Sequence, residues 1–309
     1  MAPKLPGTAK LSSHVQFTTP SIPAGSAFRS PESRLRKLFC AGSQLRTGEE
    51  FEKEDELESM REMIEKYSHF TQHFPTITQN PETEVVMVTG ATENLGAFIV
   101  SQLLKGPTVS EVWAVVRAPG QAAAGARLYK SLADIEAAKL HAVPGDMSQP
   151  NLGLKRPRSA TLTLIPDVRH PQRLGCELQP TQGVRSFEQQ HIRGTYNLIN
   201  LCLRSRLPSP ARFFSCSSVS AASNTPKPAS IPETVIENLD HAQKTGYGRS
   251  KLAIEHITRN AMRQTGMQAR ILRIGQLGGD TASAQWNETE AVALAHVLKC
   301  IDDRCIAGT

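Results

Sequence analysis

Nowhere does the chain carry the roughly 18 uninterrupted apolar residues that a membrane-spanning helix needs, and Met1–Lys10 lacks the apolar run of a secretory signal. Neither a membrane span nor a secreted protein is expected. The cysteines (Cys40, Cys176, Cys202, Cys216, Cys300, Cys305) form no C-x-x-C pair and no Cys/His cluster at ligand spacing, and the histidines are scattered. That pattern excludes a structural zinc site and a disulfide scaffold. Cys202 and Cys216 sit inside apolar runs and read as small core hydrophobes, so a reducing compartment, the cytoplasm, is the expected location.

Acid is nearly missing from the first 46 residues. Lys4, Lys10, Arg29, Arg34, Arg36, Lys37 and Arg46 face only Glu32, which accounts for the whole net charge of +6. The rest of the chain is therefore neutral. No aromatics are interleaved with these cations to stack bases, so residues 1–48 read as a solvated, disordered basic tail and no nucleic-acid partner is expected. With 39% hydrophobic and 21% charged residues, the remainder has globular composition and room for one or two cores.

After the tail comes an acidic stretch, Glu49 to Glu58, that runs into Leu57, Met60, Met63, Ile64 and Tyr67 at spacings that fall on one helical face. Residues 49–82 read as an amphipathic linker helix and loop that dock on something. Pro75, Asn80 and Pro81 break the pattern, and a domain boundary is expected near residue 82. Beyond it, short apolar runs alternate with helical segments. Strand-like Glu84–Thr89 precedes a helix Leu95–Leu104; Val112–Val116 precedes a helix Gln121–Ala138; a third run ends at Pro144. The rhythm returns with a helix Phe187–Leu203, a strand Arg212–Ser217, a helix Tyr247–Arg263 and a strand Ala269–Ile274. This alternation predicts an α/β doubly wound parallel sheet of Rossmann type over 83–309.

One segment departs from its surroundings. Residues 155–186 scatter Arg and Lys among Pro157, Pro166, Pro171 and Pro180, and only Thr161–Ile165 passes for a strand. A doubly wound sheet needs its fourth strand here, so the segment is either an unusual insertion or sequence that does not fold with the rest.

Three groups of residues can carry chemistry. Thr89-Gly90-Ala91-Thr92-Glu93-Asn94-Leu95-Gly96 lies where the first strand turns into the first helix, the place where glycine backbone and helix amides meet a pyrophosphate. Arg117 ends the second strand, where arginine suits the 2′-phosphate of NADP, with Arg127 a second cation. Tyr247 and Lys251 stand four apart on one helical face, downstream of the serine cluster Ser215-Cys216-Ser217-Ser218. A lysine near the phenol is expected to lower its pKa, so that it exchanges a proton near neutral pH while a serine hydroxyl holds a carbonyl oxygen. No G-x-S-x-G elbow surrounds the serines, which excludes a hydrolase nucleophile.

These motifs, with Val115–Ala118, Pro144-Gly145-Asp146, Phe213–Ser223, Thr245–Lys251 and Leu272–Asp280, resemble the extended short-chain dehydrogenase/reductase group. Within it, they are most similar to the thioester reductase domain of fungal nonribosomal-peptide-synthetase-like adenylating reductases. The resemblance covers about 83–154 and 187–298, and Met63–Ser68 resembles the linker from a carrier domain. It implies NADPH-dependent reduction of an acyl thioester, held on a phosphopantetheinyl carrier, to an aldehyde. It makes Tyr247 the proton donor, Lys251 the group that binds nicotinamide ribose and tunes the tyrosine, and Ser218 rather than Ser217 the group that polarises the carbonyl. Gly90, Ala91, Thr92 and Gly96 then line the pyrophosphate turn, Arg117 and Arg127 take the 2′-phosphate, and Asp146 sits near adenine. No metal is implied.

The chain departs from that pattern in three places. Glu93 stands where the family has its middle glycine, residues 155–186 do not resemble its fourth strand and following loop, and the chain stops at Thr309, soon after Trp286–Glu290, where family members continue. The expectation is a fragment of a larger synthetase. The rival reading is a non-catalytic dinucleotide-binding or interaction protein that kept the reductase core.

Overall fold

The computed structural model describes residues 48–132, 138–154, 162–165, 183–275 and 277. The basic tail before residue 48, the carboxyl-terminal stretch around Trp286–Glu290 and most of 155–182 lie outside the described residues. From Gly48 onward the described residues belong to one compact unit.

Six parallel strands form one sheet in the order β3-β2-β1-β4-β5-β6: β1 (Glu84–Thr89), β2 (Val109–Val116), β3 (Leu140–Pro144), β4 (Leu162–Ile165), β5 (Phe213–Ser218) and β6 (Ala269–Ile274). This is the doubly wound order, with its reversal between β1 and β4. The segment that composition set apart supplies the fourth strand. Val85–Val88 of β1 pair with Leu162–Ile165, and Leu164 pairs with Phe213 of β5. Four residues suffice because a central strand gains backbone hydrogen bonds on both edges.

Five α-helices accompany the sheet: α1 (Gly48–Lys66), α2 (Asn94–Lys105), α3 (Gln121–Ser131), α4 (Arg193–Leu203) and α5 (Gly246–Thr265). Side chains alternate across the strands, so each face collects its own core. Val86 and Val88 of β1 and Val112, Ala114 and Val116 of β2 pack with Val100, Ala124 and Leu128 of α2 and α3. On the other face, Met87, Val115 and Phe213 join residues of α1, α4 and α5. The helix expected to run from Gln121 to Ala138 ends at Ser131, where the Leu132 amide folds back on Tyr129 O (3.3 Å). Before α4 the chain makes a tight turn (Val184–Phe187) and a wide one (Glu188–Ile192), where a single helix from Phe187 was expected.

The docking partner of the amphipathic α1 is the sheet-bearing body itself. Leu57, Met60, Met63 and Tyr67 are buried in the same core as α4 and α5. The strand of chain that follows is strapped down by polar contacts: the His73 ring lies between the carbonyls of Leu203 and Leu207 (2.9 Å each), and the Thr76 and Ile77 amides donate to Arg206 O. Cys202 and Cys216 are buried thiols, as expected of core hydrophobes, and burial pushes the Cys202 thiol upward. Among the described residues no helix is long and apolar enough to cross a membrane, and no cluster of His, Cys, Asp or Glu could hold a metal ion.

On α5, His256 is buried. Its Nε2–H donates to Ile236 O (2.8 Å) while its Nδ1 accepts from Arg259 (3.0 Å), an arrangement that fits the neutral ring. Burial, reinforced by the Arg259 charge, lowers its pKa. The folded state therefore resists a proton that the unfolded chain accepts. Stability contributed by His256 is complete above the ordinary histidine value of about 6.5 and is lost as pH falls from there through the folded value. We expect the thermal midpoint to drop as pH is lowered from neutrality, and His256→Gln, which keeps a donor and an acceptor without titrating, to reduce that drop in a scan of melting temperature against pH.

Candidate active site

In a doubly wound sheet, ligands lie outside the carboxyl ends of the strands at the point where strand order reverses. The turn after β1 is built for close approach. Gly90 adopts a left-handed conformation (φ 72°) that a side chain would disfavour. A Cβ on Gly96 would lie 2.1 Å from Gly90 O, so only glycine lets α2 pack this tightly on the turn. The Glu93 amide closes the turn on Gly90 O (3.0 Å). Glu93 is the cap residue of α2, with extended backbone (φ −98°), and its side chain makes no capping hydrogen bond. Position 93 therefore needs no glycine on conformational grounds, and the first amides of α2 have no side-chain cap competing with an anion.

The expected 2′-phosphate and adenine residues are brought together at the ends of β2 and β3. Arg117 is exposed just after β2, and the Arg127 guanidinium on α3 donates to the Arg117 carbonyl. The Gly145 amide donates to Val116 O (3.1 Å), which sets Asp146 beside them. Burial would raise the Asp146 carboxyl, but the Ser148 hydroxyl and amide (2.8 and 2.9 Å), the Arg117 charge and Gln190 outweigh it and hold it below the ordinary carboxylate range.

Ser218, Tyr247 and Lys251 converge at the end of β5. Thr245 caps α5 by accepting from the Gly248 amide (3.1 Å), which starts the helix immediately before Tyr247. Tyr247 and Ser218 share a hydrogen bond. Lys251 is buried, donates to Cys216 O (3.0 Å) and holds its Nζ 5.4 Å from the centre of the Tyr247 ring. The tyrosine departs from expectation: its pKa is raised, because burial outweighs the Ser218 hydrogen bond, while the nearby ammonium is directed at a backbone carbonyl. The phenol is a protonated acid at neutral pH.

The pattern Tyr247, Lys251 continues one turn further. Glu255, completely buried, accepts from Ser217 Oγ (2.5 Å) and receives Arg273 of β6 in a bidentate pair (2.6 and 2.9 Å). Arg273 also donates to Pro232 O and Thr234 O. Three helix residues at i, i+4 and i+8 thus grip three consecutive strand residues, Ser218, Cys216 and Ser217. Reading the sequence missed Glu255 and Arg273; the i+4 continuation of Tyr247 and Lys251 is the signal that could have found them. It also missed Asn197 of α4, a buried amide that holds the loop after β3 by donating to Met147 O (2.8 Å) and Gln149 O (3.1 Å).

The glycine turn, the uncapped helix start, paired arginines and a buried lysine suit a dinucleotide with its phosphates and ribose. Fold and site together define a Rossmann-like nucleotide-binding domain. Residues 88–309 match the male sterility protein family of NAD-binding domains, and the chain belongs to that family. It is similar to a non-reducing polyketide synthase of Emericella nidulans (32% identity over 261 residues, 77% of this chain and 10% of that protein). An adenylate-forming reductase of Heterobasidion annosum is 28% identical over 262 residues, 81% of this chain and 24% of that protein. The chain thus spans a quarter or less of these relatives. Among solved structures, the terminal R domain from the myxalamid PKS-NRPS pathway superposes with a TM-score of 0.62 at 23% identity, covering 76% of this chain and 60% of that one. The PhqB reductase domain from Penicillium fellutanum gives 0.52 at 22% identity, covering 76% and 58%. These likenesses show the fold.

Glu255→Gln leaves the Arg273 guanidinium without its full countercharge in a mostly buried site. We expect it to cost about 3 kcal/mol of unfolding free energy, measured by denaturant titration.

Proposed function

We propose that this domain reduces an acyl thioester, presented on a phosphopantetheinyl carrier, to an aldehyde with NADPH. The observation that carries the reading is the Ser218–Tyr247–Lys251 cluster at the end of β5, across the sheet's switch point from the glycine turn. Family membership supports a nicotinamide cofactor, and the names of the relatives, adenylate-forming reductases among them, support the substrate class.

When bound, the reduced nicotinamide supplies a hydride for the acyl carbon. The chain's own residues do the rest. Gly90–Gly96 and the first amides of α2 receive the pyrophosphate, Arg117 and Arg127 the 2′-phosphate, and Asp146 the adenine side. Ser218 holds the thioester carbonyl oxygen in place. Tyr247 donates its phenol proton to that oxygen as negative charge develops on it. Lys251 binds the ribose and fixes the tyrosine ring. The resulting hemithioacetal hydroxyl returns its proton to the Tyr247 phenolate as its C–S bond breaks, so that the carrier leaves as a thiolate that takes a proton from solvent and the aldehyde is released.

The test pairs binding with turnover. NADPH should bind more tightly than NADH in calorimetric titration, and Arg117→Ala should erase most of that preference while leaving NADH affinity within about twofold, because a guanidinium facing the 2′-phosphate is what it removes. With an acyl-pantetheine thioester, Tyr247→Phe should lower aldehyde formation by at least a factor of about 100 without weakening NADPH binding. A folded chain that binds NADPH but forms no aldehyde would favour the non-catalytic reading.

A further inference from the structure

The acidic run at the start of α1 has the composition of a solvated face, yet one of its carboxylates is turned into the body. Glu56 is only 21% exposed and pairs with Arg249, itself 11% exposed, at 2.9 Å. The same oxygen accepts the Val184 amide at 2.9 Å. Gly183 makes room for it: a Cβ there would lie 2.3 Å from the other Glu56 oxygen. Arg249 lies in the first turn of α5, between Tyr247 and Lys251. The turn Val184–Phe187 carries Phe187, whose buried ring meets Tyr247 edge-on at 6.3 Å between centroids.

Glu56 therefore joins the two elements that bound the Tyr247 ring. Its neighbours on α1 grip the same surroundings, with Lys53 on Asp240 (2.7 Å) and Glu62 on Arg185 (2.6 Å). From the opposite side the first turn of α5 is already wedged, because Gly248 packs against Gln243 and Ser220 O. With one side fixed, the carboxylate sets the other.

We infer that Glu56 is a positioning residue for Tyr247, acting through Arg249 and the Val184–Phe187 turn, so that the helix preceding the sheet is part of the active-site scaffold. The inference rests on the proposed role of Tyr247 as proton donor. Removing the carboxylate frees the turn, lets Phe187 withdraw and admits water to the phenol, and both its aim and its elevated pKa suffer.

The test uses the full chain with Glu56→Ala, and Glu56→Gln, which keeps an acceptor for the Val184 amide. Arg61→Ala, on the exposed face of α1 where Arg61 pairs with Glu54 and Glu58, serves as control. The chain has four tyrosines, so subtracting the phenolate absorbance of Tyr247→Phe isolates the titration of Tyr247. Glu56→Ala should lower kcat about tenfold, with both KM values within about twofold, as expected of a misaimed group. It should also bring the Tyr247 titration down toward its ordinary value. Glu56→Gln should recover part of both, and Arg61→Ala should match the parent. A Glu56→Ala chain that melts earlier but keeps kcat and the Tyr247 titration would overturn the inference, since only a brace would have been lost. Should Glu56→Ala not fold, Arg249→Met cuts the same link from the other side and is read in the same way. If the parent chain reduces no thioester, the proposed function fails, and the Tyr247 titration alone decides the positioning role.

Discussion

The carboxyl end of β5 is held from one side by a single helix, and the arrangement of the site depends on that grip. Tyr247, Lys251 and Glu255 follow one another at four-residue intervals along α5 and reach Ser218, Cys216 O and Ser217 in turn. The most buried of the three helix groups, Glu255, also forms an ion pair. A carboxylate with no solvent access requires a countercharge and satisfied lone pairs, and Arg273 with the Ser217 hydroxyl provides both. Because Arg273 belongs to β6 and also binds the carbonyls of Pro232 and Thr234, the same pair fixes the neighbouring strand and the loop before α5.

Much of this was legible before any coordinates. Apolar alternation located β1, β2, β3, β5 and β6, since parallel strands covered on both faces read as short runs of valine and its relatives. The glycine turn and the Tyr247–Lys251 pair announced themselves because their spacing is tied to backbone geometry. β4 was legible only as the five-residue run Thr161–Ile165 among prolines and arginines, too short to mark itself by periodicity; what makes it a strand is two neighbours that offer free edges, and pairing partners are not written locally. Glu255 was hidden for a different reason. A glutamate in a helix ordinarily faces water, and only tertiary structure supplies the arginine that lets it be buried.

The direction of the Tyr247 shift shows where local chemical reasoning stops. Proximity of a lysine four residues away argued for a lowered pKa, whereas the folded surroundings withhold water from the phenol and aim the ammonium at Cys216 O. Electrostatic intuition from sequence spacing counts charges but not solvent, and in a buried site solvent is the larger effect. The acidic run of α1 offers the same lesson: six of its charges could be exchanged on composition alone, but Glu56 faces Arg249 and Val184 and is singled out by its position on the helix.

The two faces of the sheet are unequal in reach. The core shared with α2 and α3 draws on β1, β2, β3 and the turns beside them, whereas the core shared with α1, α4 and α5 takes side chains from β1, β2, β5 and β6. Between the halves, the described residues of β4 and β5 register at Leu164 with Phe213. Packing beneath α1, α4 and α5 therefore bridges the middle of the molecule alongside the ladder that runs from β1 through β4 to β5. The first half, with its private core, is suited to act as one cooperative unit, and the second is coupled to it both by the β1–β4 ladder and by the packing beneath α1, α4 and α5.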